Sequence, residues 1–288
     1  MTSRYDHFRA LHAGPGAFIL PNAWDVVSAK VFARGQFMTI GTTSAGVAAS
    51  LGYPDGEQMP WSLMLAMVAR IARSVTVPVS ADCEGGYLRQ ITPVQLVNGL
   101  QRAGICGLNL EDGSGPQATP LRPVVDQSHL LADVRRYSDH SSAPLWVNAR
   151  IDAYWHDIGG PDVCFQETLQ RARAYRDAGA DSIFVPGVED PTTIAQLVAE
   201  VDLPLNVLMG PSSPPIPELG ALGVRRVSLG SGPFRATAAL TIRLARDLQV
   251  VGASDLLHTT LRYEDLMTLF TDGERVPLGR EGVRNTDV

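Results

Sequence analysis

Two carboxylates stand one residue apart in the stretch ADCEGGY, residues 81–87, directly after the apolar run VPVS. Because side chains at i and i+2 of a β-strand point the same way, Asp82 and Glu84 are expected to share one face at the strand's exit. Two like charges held together are costly unless a cation lies between them. The spacing therefore predicts a cation site at the end of this strand.

The composition limits which classes of protein are possible. A chain of 288 residues with 45% hydrophobic and 19% charged residues is typical of a globular protein. The net charge of −6 gives no basic surface for nucleic acid, and no apolar run is long enough to span a membrane. Three cysteines without metal-ligand spacing favour a reducing cytoplasm. The single lysine, Lys30, falls in a helical pattern, which argues against Schiff-base chemistry.

Short apolar runs alternate with helical patterns along the chain, which predicts parallel strands joined by helical crossovers. Eight such units in roughly 250 residues match a (β/α)₈ barrel, here taken as one domain over 1–288. An open doubly wound sheet is the alternative, but the first strand runs into PNAWD and lacks its glycine-rich phosphate motif. The runs are 17–20, 37–41, 77–82, 107–112, 145–150, 182–187, 205–210 and a last one, RRVSLG, around Arg226.

A (β/α)₈ barrel places its active site at the carboxyl ends of its strands, so the polar residues there are candidates for the site. Asp82, Glu84 and Glu111 are hard oxygen donors of the kind that bind Mg²⁺, with Mn²⁺ as a possible substitute. Arg150 would bind an anionic substrate through its planar guanidinium. The other strand-end residues are Asn22, Asp25, Thr42, Thr43, Ser44, Asn109, Asp112, Asn148, Asp152, Asn206 and Ser228, whereas His129, His140 and His156 are interpreted as surface residues.

Five stretches, in order, resemble one enzyme family: TTSAGVAASLGYPDGE, ADCEGGY, GLNLEDG, VNARIDAY and GADSIFVPG. Together they are similar to the isocitrate lyase/phosphoenolpyruvate mutase superfamily, and the likeness covers about residues 16–250. The resemblance implies a (β/α)₈ barrel, a tetrameric assembly with C-terminal helices on a neighbouring subunit, and Mg²⁺. It also implies a 2-oxo acid or related carboxylate as substrate and an enolate-like intermediate, with cleavage or formation of a C–C or P–C bond.

The resemblance also assigns roles to individual residues. Asp82 corresponds to the direct metal ligand, Glu84 to a second acid that holds the metal's water shell, and Glu111 to an outer acid. Arg150 corresponds to the substrate-binding arginine. The substrate cradle would be formed by Thr43, Ser44 and Ala45, and Asp55 would be an acid in the following loop. We expect Arg150, Glu111 and Asp55 to act in catalysis. Asp82 and, from its position at a strand end, Asn206 are expected to bind the substrate as well.

Two departures from the family pattern leave the chemistry open. The loop after strand 4, DGSGPQATPLRPVV, suits a lid over residues 113–124 but lacks the Cys-Gly-His acid of isocitrate lyases. Pro186 stands where the mutase branch typically has a histidine. We therefore expect a Mg²⁺-dependent lyase acting on a C–C bond next to a 2-oxo acid, with a small carboxylate as substrate. A P–C mutase or hydrolase and a non-catalytic 2-oxo acid binding protein are the alternatives.

The segment after the barrel predicts an assembly element. SDLLHTTLRYEDLMTLF carries a broad apolar face, which predicts an extra helix over 253–270 that packs on a neighbouring subunit. Residues 271–288 read as a polar, flexible tail. The sequence thus predicts a homo-oligomer, a tetramer by the family resemblance, with the C-terminal helix swapped between subunits.

Overall fold

The computed structural model describes residues 3–113, 121–257 and 261–271. Strands and helices alternate along the chain as the sequence predicts, and every strand pair is parallel. The strands are β1 Phe18–Leu20, β2 Asn22–Ala23, β3 Ile40–Thr42, β4 Val79–Asp82, β5 Gly107–Glu111, β6 Trp146–Arg150, β7 Ser182–Val185, β8 Leu205–Leu208 and β9 Arg226–Ser228. The helices are α1 Arg4–Ala13, α2 Val26–Arg34, α3 Ser44–Ser50, α4 Trp61–Ser74, α5 Pro93–Ala103, α6 Val124–Asp139, α7 Pro161–Asp177, α8 Pro191–Glu200, α9 Ile216–Ala221, α10 Gly232–Val250 and α11 Tyr263–Met267.

The strands form a barrel that closes through its first strand. The strand order is β1-β9-β8-β7-β6-β5-β4-β3-β2, so the two ends of this sheet are consecutive pieces of one chain segment. They are separated by Pro21, which has no N–H to donate to a ladder, although its carbonyl accepts a hydrogen bond from Gly41 N at 2.9 Å. The predicted (β/α)₈ barrel is therefore confirmed, with its first strand divided in two.

Helix α1 covers the amino-terminal end of the barrel. Phe8 and Phe18 form a small buried cluster with Trp146, and the His12 ring stacks on Trp146 with ring centroids 4.2 Å apart. A Cβ on Gly107 would lie 2.8 Å from Phe8, so the cluster leaves no room at the floor of β5. Since side chains of the described residues fill this end, a site is expected at the opposite end of the barrel.

Several helices end at a glycine, directly before the chain returns to the sheet. Gly104 follows α5 with φ 79°, in the left-handed region that glycine adopts without strain. The next residues lead directly into β5, which carries Glu111 at its far end. The end of α5 thus determines the position of Glu111 along the barrel axis.

The segment after the barrel differs from the predicted helix over 253–270. A 3₁₀ turn spans Asp255–Leu257, and α11 is followed by a second 3₁₀ turn, Thr268–Phe270. The helix is not continuous because Arg262 is extended, with φ −77° and ψ 160°. The end of the segment packs on its own barrel: Arg34 Nη1 donates to Thr268 Oγ1 at 2.9 Å, and Leu269 is buried. Of the predicted tail, only Thr271 belongs to the described part of the chain.

Helix α10 carries several uncovered apolar side chains. None of its 19 residues is buried, and a helix with large apolar side chains in water is unusual for an isolated subunit. Its exposed large apolar side chains are Leu240, Ile242, Leu248 and Val250, and Val251 directly after the helix is exposed as well. Within the described ranges, no helix combines the length and the hydropathy needed to cross a membrane.

Candidate active site

A cavity of about 590 Å³ opens at the carboxyl ends of the barrel strands. This is the end at which enzymes of this fold carry out their chemistry. Four carboxylates, two arginines and one histidine line it, together with aromatic and small polar residues. The charged and titratable lining residues are Asp55, Asp82, Glu111, Arg150, Asp152, His156 and Arg235.

Asp82 ends β4 and connects two neighbouring strands at the cavity floor. Its backbone N–H donates to Thr42 Oγ1 at 2.9 Å, and its Oδ2 accepts from the backbone N–H of Ser44 at 3.0 Å. Its other oxygen, Oδ1, is buried and has no hydrogen-bond partner within the described residues. A buried carboxylate oxygen without a donor is costly, so this atom is suited to a cation.

Glu84 does not line the cavity, contrary to the expectation from its spacing. Its Oε1 accepts from Tyr87 Oη at 2.5 Å and its Oε2 from the backbone N–H of Glu57 at 2.5 Å. The strand ends at Asp82, and Glu84 has a left-handed backbone with φ 49°. The two-residue alternation therefore no longer applies at this position. Burial raises the pKa of Glu84 to about 7, and the carboxyl fixes the turn rather than facing the cavity.

Arg150, at the end of β6, is held by two carboxylates. Its Nη1 lies 2.7 Å from Glu111 Oε2, and its Nε lies 2.6 Å from Asp152 Oδ1. Although burial opposes it, the charges of Glu111 and Asp152 raise the pKa of Arg150. Burial raises the pKa of Glu111, and the guanidinium acts in the opposite direction. The predicted acid and arginine are thus brought together, and they neutralise each other in part.

Asp152 is fixed from behind by a buried network. Asp112 Oδ1 accepts from the backbone N–H of Asp152 at 2.9 Å, and its Oδ2 accepts from Tyr175 Oη at 2.7 Å and from Arg171 Nη1 at 3.1 Å. A Cβ on Gly113 would lie 2.5 Å from Asp152 Oδ2, so this position has space only for glycine. Asp112 is therefore a supporting residue, and Asp152 is the acid that reaches the cavity.

The three residues predicted to form the substrate cradle follow β3 and line the cavity. Thr43, Ser44 and Ala45 line the cavity at the start of α3, where Thr43 Oγ1 accepts from Gly46 N at 3.4 Å as the helix cap. Asp55 lines the same side from the loop that follows α3. Partial burial and the charge of Asp82 raise the pKa of the Asp55 carboxyl. Asp55 therefore retains a proton more readily than an isolated carboxyl.

Of the residues predicted to bind the metal or the substrate, Asn206 is the second that the structure does not place in the cavity. Four candidates named only for their positions at strand ends do not line it either: Asp25, Thr42, Asp112 and Asn148. Asn206 is fully buried in the barrel interior, where its Oδ1 accepts from Ser228 Oγ at 3.1 Å. The cavity wall on β8 is formed two residues later, by Leu208. Asn206 lies deeper in the barrel than its position near a strand end predicts, because sequence alone does not give the stagger of strands around a barrel.

Two titratable residues of the cavity were not among the predicted site residues. His156, interpreted from the sequence as a surface residue, lines the cavity next to Trp155 in the loop after β6. Its Nε2 and Asp152 Oδ2 both lie within 3.4 Å of the point where a Cβ on Gly113 would be. Arg235 reaches the cavity from the first turn of α10. The only signal in the sequence was that they follow a strand end, by six residues for His156 and by seven for Arg235.

The residues present fit a divalent cation of the Mg²⁺ type held mainly through water. The described residues contain no group of three or more His, Cys, Asp or Glu side chains arranged to enclose a metal. Mg²⁺ does not need such a group, because it keeps several waters and is commonly bound by one or two carboxylates and the substrate. Asp82, with its unpartnered Oδ1, supplies one such carboxylate, and Glu111 lies in the same wall.

The predicted lid over residues 113–124 is only partly within the described ranges, because residues 114–120 lie outside them. Gly113 and Leu121 pair as an antiparallel bridge at its base. Arg122 donates through its Nη2 to the carbonyl of Gly85 at 3.0 Å. The two ends of this loop are therefore held together over the turn that follows β4.

Comparison with known proteins identifies relatives along nearly the whole chain. The phosphoenolpyruvate phosphomutase family profile matches residues 8–249. An uncharacterized protein of Mycobacterium tuberculosis is 35% identical over 267 residues, 93% of this chain and 97% of that protein. The oxaloacetate decarboxylase of Ectopseudomonas mendocina is 30% identical over 270 residues, 90% and 89% of the two chains. A Burkholderia cenocepacia crystal structure, provisionally described as a lyase/mutase, is 34% identical with a TM-score of 0.86, covering 95% of this chain and 98% of that one.

Proposed function

Because the chain belongs to the phosphoenolpyruvate phosphomutase family, we propose that it is a Mg²⁺-dependent lyase acting on a C–C bond adjacent to a 2-oxo acid. The observation that carries the proposal is Asp82, which lines the cavity together with the Arg150–Glu111 pair and whose Oδ1 has no hydrogen-bond partner within the described residues. The similarity to an oxaloacetate decarboxylase supports C–C chemistry on a small carboxylate. Manganese is a possible substitute for magnesium.

Asp82 and Glu111 are the residues that would hold the metal. When bound, the ion supplies positive charge that polarises the carbonyl of a 2-oxo acid. Glu84 accepts hydrogen bonds from Tyr87 and from the backbone N–H of Glu57 at the turn after β4. Its proposed role is therefore to fix the loop behind Asp82 rather than to bind the ion. The same contact keeps the backbone N–H of Glu57 directed toward a carboxylate.

The remaining side chains would bind and orient the substrate. Thr43, Ser44 and Ala45 form a cradle of hydroxyl and backbone groups for the substrate carboxylate. Arg150 uses Nη1 and Nε on Glu111 and Asp152, and its third nitrogen, Nη2, can bind the substrate. Two carboxylates hold the guanidinium in one orientation, so little reorganisation is needed when the substrate arrives.

Bond cleavage leaves an electron pair that must receive a proton. For a 2-oxo dicarboxylate, the bond between C3 and C4 breaks, the carboxylate leaves as CO₂, and the pair remains as an enolate. His156 is an imidazole in the cavity wall, with the Asp152 carboxylate near its Nε2. Imidazole is the common proton donor near neutral pH. We assign to His156 the delivery of a proton to C3. The loop after β5 has no cysteine that could serve as this acid.

The test is a panel of 2-oxo and 2-hydroxy acids, incubated with and without Mg²⁺ and analysed by mass spectrometry. A C–C lyase converts at least one of them in a Mg²⁺-dependent manner, and oxaloacetate going to pyruvate and CO₂ is the first case to examine. Binding of a 2-oxo acid without conversion of any compound would instead identify a non-catalytic binding protein. No binding and no conversion would contradict the proposal.

P–C chemistry is the second candidate, favoured by the family profile that the chain matches. Pro186, which lines the cavity, occupies the place of the histidine typical of the mutase branch. For this reason P–C chemistry is less well supported than the C–C lyase. Phosphonopyruvate belongs in the same panel. Its conversion to phosphoenolpyruvate, or to pyruvate and phosphate, with no turnover of the carboxylates would favour the second candidate.

A homo-oligomer, with a tetramer as the expected size, is also part of the proposal. The exposed apolar side chains of α10 support it, since burying each is worth roughly 1.5–3 kcal/mol. The described part of the C-terminal segment packs in part on its own barrel, so α10 is the more promising contact. The three cysteines are free and buried, which supports the expected reducing, cytoplasmic setting.

A further inference from the structure

The cavity has a polar side and an apolar side. Strands β3, β4 and β5 lead to the cradle, to Asp82 and to Glu111. Strands β7 and β8, with the residue directly after each, supply no hydrogen-bonding side chain to the described lining. They supply what we call the apolar wall: Phe184, Pro186, Leu208 and Met209. We propose that the apolar wall binds an aliphatic chain carried by the 2-oxo acid substrate. This inference rests on the proposed function and adds a specificity-determining surface to it.

The apolar wall faces the proposed metal site across the mouth of the barrel. In the strand order, β4 and β8 are four positions apart in both directions, because β1 and β2 are parts of one divided strand. The same is true of β3 and β7. Asp82 at the end of β4 therefore lies opposite Leu208, and the cradle after β3 lies opposite Phe184. A molecule held by its carboxylate at the cradle directs its other end toward the wall.

Contacts within the barrel hold the wall in position before any substrate arrives. Phe184 is buried, and the guanidinium carbon of Arg150 lies 5.7 Å from its ring centroid, which is within the range of a cation–π contact. A Cβ on Gly230 would lie 2.9 Å from Leu208 Cδ1, so a larger residue there would displace the leucine. The wall is thus a preformed surface, and a preformed surface loses little free energy to reorganisation when it binds a ligand.

The size of the cavity also favours a substrate longer than pyruvate or oxaloacetate. The cavity volume is about 590 Å³, and pockets of roughly 300–1,000 Å³ enclose drug-sized ligands. A 2-oxo acid of three or four carbons has only about six to nine non-hydrogen atoms, which is well below that size. Water against the wall meets no hydrogen-bonding side chain, and its replacement by hydrocarbon is favourable. An aliphatic chain attached at C3, beside the bond that breaks, is the group that this surface selects.

Straight-chain 2-oxo acids test the wall without turnover, because they lack the carboxylate on C3 that the proposed cleavage removes. Calorimetry in the presence of Mg²⁺ compares pyruvate, 2-oxobutyrate, 2-oxopentanoate and 2-oxohexanoate. With the wild-type protein, we expect the affinity to rise about twofold to fourfold with each added methylene, and about tenfold or more across the series. This gradient is the signature of a chain that leaves water for an apolar surface.

Two variants place a polar group of similar shape in the wall. Met209→Gln keeps the length of the side chain and replaces the thioether with an amide, and Leu208→Asn does the same for a shorter side chain. In each variant, the ratio of the affinity for 2-oxohexanoate to that for pyruvate should fall toward one, because the chain then displaces water from a hydrogen-bonding group. The matched control is Met38→Gln, at an exposed methionine that does not line the cavity, and it should keep the wild-type ratio.

The outcomes separate this inference from the function on which it rests. Equal affinities along the wild-type series, or a wild-type ratio in both Met209→Gln and Leu208→Asn, would overturn the inference and leave the proposed lyase function standing. A ratio that falls equally in Met38→Gln would also overturn it, because the effect would then not belong to the wall. If the wild-type protein binds no member of the series with Mg²⁺, the proposed function fails first and the inference fails with it.

Discussion

The backbone N–H of Ser44 donates a hydrogen bond to Oδ2 of Asp82 at 3.0 Å, and this contact leaves Oδ1 as the unpartnered oxygen. One residue of the cradle thus fixes the rotation of the carboxylate that we propose as the metal ligand. The acid two residues beyond, Glu84, does not line the cavity and accepts hydrogen bonds from Tyr87 and Glu57.

Replacement of these two acids should therefore have different effects on metal binding. Asp82→Ala removes the carboxylate at the cavity floor, and we expect it to abolish Mg²⁺-dependent binding of a 2-oxo acid. Glu84→Gln keeps the shape of a side chain that contacts only protein groups, and it should retain Mg²⁺ affinity. Calorimetric titration of both variants with MgCl₂ checks this. Full affinity in Asp82→Ala, or complete loss in Glu84→Gln alone, would reverse our assignment of the two residues.

Loss of the cavity imidazole should slow the reaction without weakening substrate binding. His156→Gln removes the proposed proton donor, and general acid catalysis is typically worth 10²–10⁴-fold, so kcat should fall by about a hundredfold or more while KM changes little. His140→Gln, which alters an exposed histidine at the end of α6, is the control. Steady-state kinetics on the substrate identified in the panel would decide, and an unchanged kcat in His156→Gln would exclude that residue as the donor.

The histidine at the sealed end of the barrel should make the protein less stable in acid. Burial and the charge of Arg226 lower the pKa of His12 from 6.5 to about 3. Between pH 6.5 and about 3, His12 binds a proton in the unfolded chain but not in the folded chain. Stability should therefore fall as the pH drops from about 6.5 toward 3, by up to about 1.4 kcal/mol per pH unit.

His12→Phe keeps a ring against Trp146 but removes the titrating group, so its stability should depend less on pH over this range. Urea unfolding at pH 5 and pH 7.5 measures the difference. His7→Gln alters an exposed histidine on the same helix and should behave as the wild type. Parallel pH dependence in His12→Phe and the wild type would show that other groups cause the acid loss.

A charge on the uncovered face of α10 should dissociate the oligomer. Ile242 is 62% exposed in the single chain, and Ile242→Glu would bury a carboxylate in the proposed interface, at a cost of several kcal/mol. Light scattering should then report a smaller mass than that of the wild type. Val163→Glu, at an exposed valine on α7, should leave the mass unchanged. If Ile242→Glu keeps the wild-type mass, the contact lies elsewhere on the chain.

The sequence by itself determined the barrel and the residues at most of its strand ends. Alternating apolar and helical segments require parallel pairing, and parallel strands bring their carboxyl ends to one side. Asp82, Glu111 and Arg150 could therefore be assigned to one site before any coordinates, and the structure places all three in the cavity wall. The family resemblance, confirmed by the profile match, pointed to the same residues.

The tertiary structure decided where side chains point once a strand has ended. The two-residue alternation fails at Glu84 because its backbone is left-handed, and the stagger of the strands puts Asn206 below the cavity floor. His156 and Arg235 reach the cavity from a loop and a helix, whose paths depend on packing between distant segments such as Phe234 on Trp24. Local spacing sets which residues leave a strand, whereas contacts between segments far apart in sequence set where those residues arrive.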